Sequence, residues 1–345
     1  MSTARKPPGR DATIIDVARI AGVSKSTVSN VIRGSLGVTP QTKARVLEAV
    51  SKLSYRPNVL ARHLVLQRTT TLGVVVGDLG NPFNAEMASH IAYEAARQGY
   101  RPMFCNTQGV AKAELDGLEG FVEHRAAGIV FLSQPVESAA AKRAVGRVPA
   151  VSVSCVCDWC DSVSADDRAG AKAATQHLID LGHKRIAYVA DPLVEDVADR
   201  EREAGYRATL EAAGLRPAVF HWGGPPDQLT ANARDRQVAS IVADRITAIV
   251  SSNDYGAIEV LDSADRLGVK VPAELSVIGF DDVVTAGLAR INLSTMRQPQ
   301  PELAAAALKL LNERISGRAP RRLEHRTLPV TLVVRGSTGV AKTAR

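Results

Sequence analysis

Apolar runs that alternate with helical patterns occupy the chain from residue 72 to residue 281 and restrict the fold. Seven short runs are almost continuously apolar, as strands buried on both faces of a sheet are. Repeated strand–helix units of this kind form parallel sheets covered by helices on both faces, and their ligands bind beyond the carboxyl ends of the strands. The length of 345 residues accommodates two such sheets. The predicted strands are 72–76, 100–105, 128–132, 150–153, 185–189, 248–250 and 275–279, and the predicted helices include 169–181, 202–213, 235–243 and 255–267.

The first 57 residues follow a different, purely helical pattern. Thr13 and Asp16 are spaced as a capping box, and Gly22 stands where a helix end favours a left-handed residue. Ser24 is placed to cap a second helix. The inward positions of that second helix are Val28, Val31 and Ile32. Two short helices joined by a glycine-containing turn predict a helix-turn-helix, whose polar outer face fits a major groove.

A third helix and a short fourth segment follow. Thr39-Pro40 has the N-cap and first-turn proline of a helix start, and residues 55–57 end that helix. Its apolar side is Val46, Ala49, Val50 and Leu53. Asn58 can cap one more helix over residues 59–65, which is too short to be stable alone. We therefore expect that segment to fold only against DNA, a second copy of itself, or both.

Positive charge is concentrated in the same region. The chain carries a net charge of +7, whereas residues 1–70 hold 12 Lys or Arg against three acidic residues. The first 70 residues are thus at +9 and the remainder at −2. A solvated basic face would account for the charge alone, but the helical pattern beneath it favours nucleic-acid binding.

Several function classes are disfavoured by the sequence. No apolar run is long enough for a bilayer, and the polar start lacks the apolar core of a secretory signal, so we expect a cytoplasmic protein with a disordered leader over residues 1–12. Four cysteines do not make a disulfide framework. Phosphate-loop, G-x-G-x-x-G, G-x-S-x-G and H-E-x-x-H patterns are lacking, so we expect neither an enzyme nor a cofactor.

Six separated motifs occur in a fixed order. They are IIDVARIAGVSKSTVSNVI, SYRPNVLARHL, LGVVVGDLGNPF, HLIDLGHKRIAYV, SSNDYGAIEV and ELSVIGFDD. With them the chain resembles the lactose/galactose repressor family of bacterial transcription regulators from about residue 13 to residue 335. The resemblance implies an all-α helix-turn-helix head and an α/β core of two doubly wound parallel-sheet subdomains, similar to a periplasmic sugar-binding protein.

The resemblance also divides the chain. The head is expected at 13–57, the hinge helix and linker at 58–70, and the effector-binding and dimerisation core at 71–340. Within the core, the amino-terminal subdomain takes residues 71–168 and 299–327, and the carboxy-terminal subdomain takes residues 169–298 and 328–340. A small, sugar-like effector is expected in the cleft between them.

The resemblance assigns DNA contacts residue by residue. Lys25 and Ser26 open the recognition helix and are expected to reach base edges. Many members have Arg where this chain has Asn30 and Asn where it has Arg33, so the operator sequence stays open. Leu64 matches the hinge leucine that the family inserts into the minor groove, although an ordinary apolar helix position is the alternative. The full expected set is Thr13, Ser24, Lys25, Ser26, Thr27, Ser29, Asn30, Arg33, Tyr55, Asn58, Ala61 and Leu64, with Thr27 and Asn58 on the DNA backbone.

The resemblance likewise assigns the effector contacts. Arg202 matches the family arginine that grips effector hydroxyls or carboxylate, and Asn253 and Asp281 match polar residues at strand ends. Asp78, Asn81, Phe83 and Gln298 complete the expected set. For each of these, a cap, turn or ion-pair role is the alternative; for the neighbouring Asp254 and Asp282 the alternative considered is a helix cap.

A cysteine cluster has no counterpart in the family pattern. Cys155, Cys157 and Cys160 are spaced so that they could bind a soft metal or respond to an oxidant. A zinc site would lack a nearby fourth ligand, so incidental cysteines are favoured. Ser154-Cys155 stands where the family usually has Asp-Arg, which indicates an effector unlike the commonest sugars.

Together these observations predict a homodimeric, effector-controlled regulator, most often a repressor, on a pseudo-palindromic double-stranded operator. The expected location is the cytoplasm, with nucleoid association when DNA is bound. A dimer is favoured over a tetramer because no heptad pattern follows residue 335. The alternatives are control by a protein corepressor and a ligand-binding protein without a DNA role.

Overall fold

The computed structural model describes residues 12–33, 37–55, 69–132, 135, 138–190, 197–221 and 231–342. The chain divides into two units, residues 1–69 and 70–345, each considered by itself. Residues 1–11 of the predicted leader over residues 1–12, and the predicted hinge helix over 59–65, lie outside the described residues.

Three helices form the first unit: α1 (Ile14–Ala21), α2 (Lys25–Arg33) and α3 (Pro40–Lys52). Their boundaries follow local signals. Thr13 and Asp16 form the predicted capping box, Gly22 is left-handed at φ 61°, and the Thr39 side chain caps α3 ahead of Pro40. The small core of this unit consists of Val17, Ala18, Ala21, Val28, Val31, Val46 and Ala49, all buried.

The second unit contains two sheets. The first half of the chain supplies β1 (Thr71–Val76), α4 (Pro82–Arg97), β2 (Arg101–Asn106), α5 (Ala111–Glu123), β3 (Gly128–Phe131), α6 (Ser138–Val145), β4 (Ala150–Val153) and β5 (Asp161–Ala165). Later elements supply α11 (Gln300–Ile315) and β11 (His325–Leu328). The strand order is β11-β5-β4-β3-β1-β2, and every pair is parallel. These elements form the amino-terminal subdomain.

The carboxy-terminal subdomain repeats this plan. Its elements are α7 (Asp167–Asp180), β6 (Ile186–Ala190), α8 (Val197–Ala212), β7 (Ala218–His221), α9 (Ala231–Ala243), β8 (Ala248–Ser251), α10 (Asp254–Arg266), β9 (Ser276–Asp281), a 3-10 turn (Val284–Gly287), β10 (Ser294–Arg297) and β12 (Thr331–Val333). The strand order is β12-β10-β9-β8-β6-β7, and only β12 runs antiparallel to its neighbour among the described pairs.

The chain passes between the two subdomains three times. It crosses after β5, crosses back after β10, and crosses again between β11 and β12. As a result, α11 packs on β3, β4 and β5 although it lies far from them in sequence. The predicted two doubly wound sheets are confirmed. The exact subdomain boundaries stay a prediction.

The seven predicted strands are present, with ends that differ from the prediction by at most two residues. Five further strands, β5, β7, β10, β11 and β12, were not singled out by the sequence pattern. Three of them, β7, β11 and β12, contain no fully buried residue, and the predicted edge strand β2 shares this property. None of the described helices combines the length and the apolar character that a membrane span requires.

Helices α7 and α8 approach each other closely at a glycine. A methyl group built on Gly205 of α8 would lie 2.4 Å from the carbonyl oxygen of Arg168 on α7. Because no side chain fits that gap, the two helix backbones are in direct contact there. This contact positions Arg202, one turn earlier on α8, for the site described below.

Candidate nucleic-acid interface and ligand cleft

The first turn of α2 is a cluster of hydroxyl groups beside a lysine. Ser24 Oγ accepts a hydrogen bond from the Thr27 backbone N–H at 3.1 Å, and it also lies 2.7 Å from Ser26 Oγ and 2.8 Å from Thr27 Oγ1. Lys25, Ser26 and Asn30 are exposed, whereas Thr27 and Ser29 are half-buried. This outer face presents a cation, hydroxyls and an amide, which are the groups that bind base edges and phosphates.

Arg45 fixes the turn that carries this face, a role that the sequence analysis did not predict. From α3, its Nε and Nη2 donate to the carbonyl oxygen of Ala21 at 3.1 and 2.6 Å, and Nη2 also donates to that of Gly22 at 3.1 Å. A guanidinium therefore satisfies carbonyl groups at the end of α1. The partners are 23 and 24 residues apart, so local patterns could not reveal them.

Other expected DNA contacts have structural partners or lie outside the described part. The Thr13 hydroxyl donates to Asp16 Oδ2 at 2.6 Å within the capping box. Tyr55 packs against the head core, and burial raises the pKa of its phenol. The side chain of Arg33 is not among those described, and Asn58, Ala61 and Leu64 lie outside the described residues.

In the core, Arg202 is the centre of a buried polar network at the carboxyl edge of the second sheet. Its Nε donates to Asp167 Oδ1 at 2.8 Å, and its Nη1 donates to the carbonyl oxygen of Ser252 at 2.6 Å. Its guanidinium carbon lies 3.9 Å from the ring centre of Phe280. Burial opposes the charge of Arg202, but Asp167 and Asp281 raise its pKa overall, so this cation is permanent.

Asp281 and Gln298 belong to the same network. Gln298 Nε2 donates to Asp281 Oδ1 at 2.7 Å, and that oxygen lies 3.9 Å from Arg202 Nη1. Asp281 adopts a strained φ of 131° at the end of β9. Burial raises the pKa of Asp281 well above its usual range, although Arg202 acts in the opposite direction. Three of the seven expected effector residues are thus joined to each other.

Asn253 and Asp254 both lie at the start of α10. Asn253 caps α10 by accepting a hydrogen bond from the backbone N–H of Gly256 at 2.8 Å. The interpretation of Asp254 as a helix cap was wrong. Asp254 lies in the first turn of α10, where its carboxylate accepts from Thr295 Oγ1 at 2.5 Å and from the Val283 backbone N–H at 3.0 Å. It therefore fastens α10 to β10 and to the loop after β9.

The helix-cap interpretation of Asp282 was also wrong. One oxygen of Asp282 accepts from Arg297 Nε at 2.6 Å, and the other accepts from Arg335 Nη2 at 2.6 Å. Asp282 therefore links the end of β9 to Arg297 at the end of β10 and to Arg335 in the carboxy-terminal segment. Neither bond caps a helix.

The remaining expected residues come from the loop after β1. Asp78 is exposed, and its Oδ1 accepts from the Gly80 backbone N–H at 2.8 Å. Asn81 caps α4 by accepting from the Phe83 backbone N–H at 3.0 Å, and the Phe83 side chain is buried. The charge of Asp78 adds to burial in raising the pKa of Tyr255 on α10, so this loop faces the second subdomain.

Glu86 on α4 connects the subdomains directly, and sequence reasoning missed it. Its Oε1 accepts from the Val284 backbone N–H at 2.8 Å, and its Oε2 accepts from Gln300 Nε2 at 3.3 Å. Both partners lie about 200 positions away in the sequence, so nothing local marks Glu86.

A cavity of about 180 Å³ lies between the subdomains. Its lining residues include Ser154, Cys155, Val156, Ser164 and Thr327 on one side and Asp166, Asp167, Arg168, Val197, Ala198 and Glu201 on the other. None of the seven expected effector residues lines it, and Arg202 meets it only through Asp167. The Ser154 hydroxyl is buried without a hydrogen-bond partner, and its backbone is strained at φ 77°. An unsatisfied hydroxyl at a cleft is where a ligand would bond.

A larger cavity of about 330 Å³ lies at the other end of the second sheet. His183 and Thr247, which precede β6 and β8, line it. Parallel sheets bind ligands beyond the carboxyl ends of their strands, which is the edge that the first cavity adjoins. The inter-subdomain cavity is therefore the better ligand site.

The three clustered cysteines form no disulfides. Cys155 lines the inter-subdomain cavity, and the other two follow it in the same segment. Cys155, Cys157 and Cys160 are all buried, and Cys155 Sγ lies 3.0 Å from Ser152 Oγ. Throughout the part of the chain that the structure describes, no group of three or more His, Cys, Asp or Glu residues is arranged to hold a metal ion.

Comparison with known proteins identifies both units. Residues 13–58 match the family described as bacterial regulatory proteins, lacI family, and residues 175–338 match the periplasmic binding protein-like domain. The chain is 34% identical over 310 residues to catabolite control protein A of Priestia megaterium, covering 88% of this chain and 92% of that protein. It is 33% identical over 339 residues to the ribose operon repressor of Escherichia coli K12, covering 94% of this chain and 99% of that protein.

A solved structure extends the similarity over almost the full length. The lac repressor dimer bound to operator and the anti-inducer ONPF superposes with a TM-score of 0.82 and 26% identity, covering 96% of this chain and 100% of that chain. The similarity spans the head and the core in one polypeptide.

Proposed function

The chain belongs to the lacI family of bacterial regulatory proteins, and from that premise we propose which of its residues bind DNA and which bind an effector. It is a DNA-binding transcriptional repressor and not an enzyme. As a bacterial repressor it acts in the cytoplasm, and we propose that it associates with the nucleoid when bound to its operator.

Operator recognition is proposed for the outer face of α2. Lys25, Ser26 and Asn30 are exposed there, directly after a turn that Arg45 holds in place. Lys25 suits the acceptors of guanine, and Asn30 suits adenine. That exposed polar face on a fixed turn is the observation that carries the proposal. Leu64 is proposed as the residue that wedges into the minor groove at the centre of the operator.

A homodimer is proposed as the operator-bound form. Two heads then read the half-sites of a pseudo-palindrome, as a twofold arrangement of helix-turn-helix units requires. The lac repressor, similar over 96% of this chain, is described as a dimer on its operator.

The proposed effector is a small neutral molecule rich in hydroxyl groups, such as a sugar, bound in the inter-subdomain cavity. The relatives include a ribose operon repressor and a repressor bound to an anti-inducer. Asp166, Asp167 and Glu201 line the cavity, and among the described residues Arg168 is the one basic residue in its lining. Carboxylates accept hydrogen bonds from hydroxyl groups and repel an anionic ligand. The unsatisfied Ser154 hydroxyl offers one further bond.

Effector binding is proposed to shift the equilibrium between two orientations of the subdomains. Such a shift changes the spacing of the two hinge segments and so their order on DNA. The coupling is reciprocal, so the operator changes effector affinity by the same factor. A protein corepressor is the second candidate controller, because 180 Å³ is below the range of about 300–1,000 Å³ typical of small-molecule sites.

The first experiment identifies the operator and tests α2. Purified protein is incubated with fragmented genomic DNA, and the retained fragments are sequenced; we expect a shared pseudo-palindrome. On that sequence Lys25→Ala should lose about 5- to 150-fold in specific affinity, the equivalent of roughly 1–3 kcal/mol. Lys43→Ala, an exposed lysine of α3, is the matched control and should weaken specific and non-specific binding about equally. Equal effects of the two substitutions on specificity would contradict the assignment.

The second experiment tests the effector class. Thermal unfolding with D-ribose and other neutral sugars is compared with ribose 5-phosphate, and we expect stabilisation only by a neutral sugar. Ser154→Ala should weaken that binding about 2- to 10-fold, the worth of one hydrogen bond. Ser89→Ala, an exposed serine on α4, should leave it unchanged. Preferential stabilisation by the phosphate would refute the neutral class.

A further inference from the structure

The segment between β4 and β5 holds three of the four cysteines of the chain within six residues. Cys157 and Cys160 belong to the apolar cluster of Phe131, Val145 and Ala150, and each is only 5% exposed. Between them stands Trp159, whose Nε1 donates to Ser138 Oγ at 2.9 Å and whose ring meets Phe131 edge-on at 5.7 Å. The two thiols thus lie together in a well-fixed part of the subdomain.

The two thiols are chemically different because of their hydrogen bonds. The Cys160 thiol donates to the Cys157 sulfur, and the backbone N–H groups of Trp159 and Cys160 donate to it as well. These bonds outweigh burial and lower the pKa of Cys157 to about 6. The same contact, together with burial, raises the pKa of Cys160. Of these two thiols Cys157 therefore loses its proton more readily, and the thiolate is the reactive form of cysteine.

We propose that Cys157 and Cys160 form a reversible redox-modification site, in which a hydroperoxide oxidises Cys157 and Cys160 then closes a disulfide with it. The role is that of an attacking thiol beside a resolving thiol. Because Cys157 is only 5% exposed, the hydroperoxide that reaches it has to be small. A metal role is not supported, since the described residues offer no three-ligand group around these thiols.

The proposed reaction balances in two steps. The Cys157 thiolate attacks the terminal oxygen of the hydroperoxide, the O–O bond breaks, and the alcohol leaves, which makes Cys157 a sulfenic acid. The Cys160 sulfur then attacks the sulfur of Cys157, the S–S bond forms, and water leaves. Two thiols lose two electrons and two protons while the hydroperoxide is reduced to an alcohol and water. A dithiol reductant reverses the change.

The other two cysteines are poorer candidates and serve as controls. Cys105 Sγ donates to the Ala113 carbonyl oxygen at 3.7 Å, and burial followed by Glu114 and Asp116 raises the pKa of its thiol. Cys155 shares its hydrogen bond with the Ser152 hydroxyl. Burial makes the Cys105 thiolate less favourable, in contrast to that of Cys157.

The proposed disulfide would also restrict one wall of the cavity between the subdomains. Cys155 and Val156, directly before Cys157, line the cavity between the subdomains. A disulfide holds its two Cβ atoms about 3.5–4.5 Å apart, which fixes the 157–160 turn and with it that wall of the cavity. This consequence, unlike the modification itself, rests on the proposed effector function.

The test is the mass of the full chain after treatment with hydrogen peroxide at pH 7. We expect the wild-type protein and Cys105→Ser each to lose about 2 Da, with a Cys157–Cys160 disulfide found by peptide mapping and reversed by dithiothreitol. Cys157→Ser should show no disulfide, and Cys160→Ser should stop at a sulfenic acid trapped by dimedone. Should a variant fail to fold, the peptide map of the wild type still decides.

A second readout follows the turn itself without any DNA or effector. In a Trp222→Phe protein, Trp159 is the only tryptophan, so its fluorescence should fall on oxidation and recover on reduction. Unchanged mass under excess peroxide, or a disulfide that instead joins Cys155 or Cys105, would overturn the proposal. A Cys157–Cys160 disulfide in a protein that binds no sugar would leave the proposal intact and overturn only the effector function.

Discussion

The buried carboxyl group of Asp254 should make the core less stable at neutral pH than at acidic pH. The side chain is fully buried, and burial raises its pKa to about 6 in spite of the hydrogen bonds from Thr295 and Val283. Asp254→Asn is a nearly isosteric test. The amide oxygen can accept from the Val283 N–H while the amide N–H₂ donates to the Thr295 hydroxyl, because a hydroxyl both donates and accepts.

The magnitude follows from the two pKa values of this group. An aspartate in the unfolded chain titrates near 3.9, so unfolding lowers the pKa of Asp254 by about two units. Since the folded pKa is the higher one, the protonated group stabilises the fold below about pH 4, and that contribution is lost as the pH rises through about 6. Asp254 should therefore cost about 3 kcal/mol at pH 7 relative to low pH. The asparagine variant should escape this cost.

The assay is urea unfolding of the core, followed by circular dichroism, at several values between about pH 4 and pH 7. The difference in unfolding free energy between variant and wild type should rise by about 2–3 kcal/mol in favour of Asp254→Asn over that range. Asp116→Asn, at an exposed carboxylate on α5, is the control and should give no such slope. A difference that stays flat, or that falls with pH, would refute the reasoning.

Two further substitutions, each with a matched control, test the helix contact at Gly205 and the turn held by Arg45. Gly205→Ala should destabilise the core by about 1–3 kcal/mol, because its methyl group meets the Arg168 carbonyl oxygen at 2.4 Å. Gly120→Ala, in a helix with open space around it, should instead stabilise by about 0.5–1 kcal/mol; equal thermal shifts for the two would contradict the close helix contact. Arg45→Met should lower the unfolding free energy of the head by about 1–3 kcal/mol, because carbonyl groups lose their donors. Lys52→Met is its control, and calorimetry that finds the two alike would refute the role of Arg45.

Local structure was predictable where one or two neighbouring residues determine it. The capping box at Thr13, the left-handed Gly22 and the Thr39-Pro40 start depend only on contacts within a single turn, so the sequence contains all the information needed. Buried central strands were equally visible, because both faces of such a strand are apolar. Exposure alone does not decide the matter at the sheet edges: β7, β11 and β12 are partly exposed and were not singled out, whereas the equally exposed β2 was.

The sites were predictable only in part, since they depend on distant residues. Arg202, Asp281 and Gln298 were singled out, but their hydrogen bonds to one another depend on how β9 and α8 come together. Asp254 was misread because its helix position suggests a cap, whereas its partners come from β10 and the loop after β9. Whether the seven expected residues bind an effector stays a prediction.

The three passages of the chain between the subdomains set the order in which the protein can be completed during synthesis. The head needs nothing beyond residue 55 for its three helices, so it can form early. The first sheet begins at Thr71 but lacks α11 and β11 until Leu328 has left the ribosome. A polypeptide truncated before that point would carry an intact head on two unfinished sheets. Nascent chains should thus acquire a DNA-binding surface well before the core that controls it.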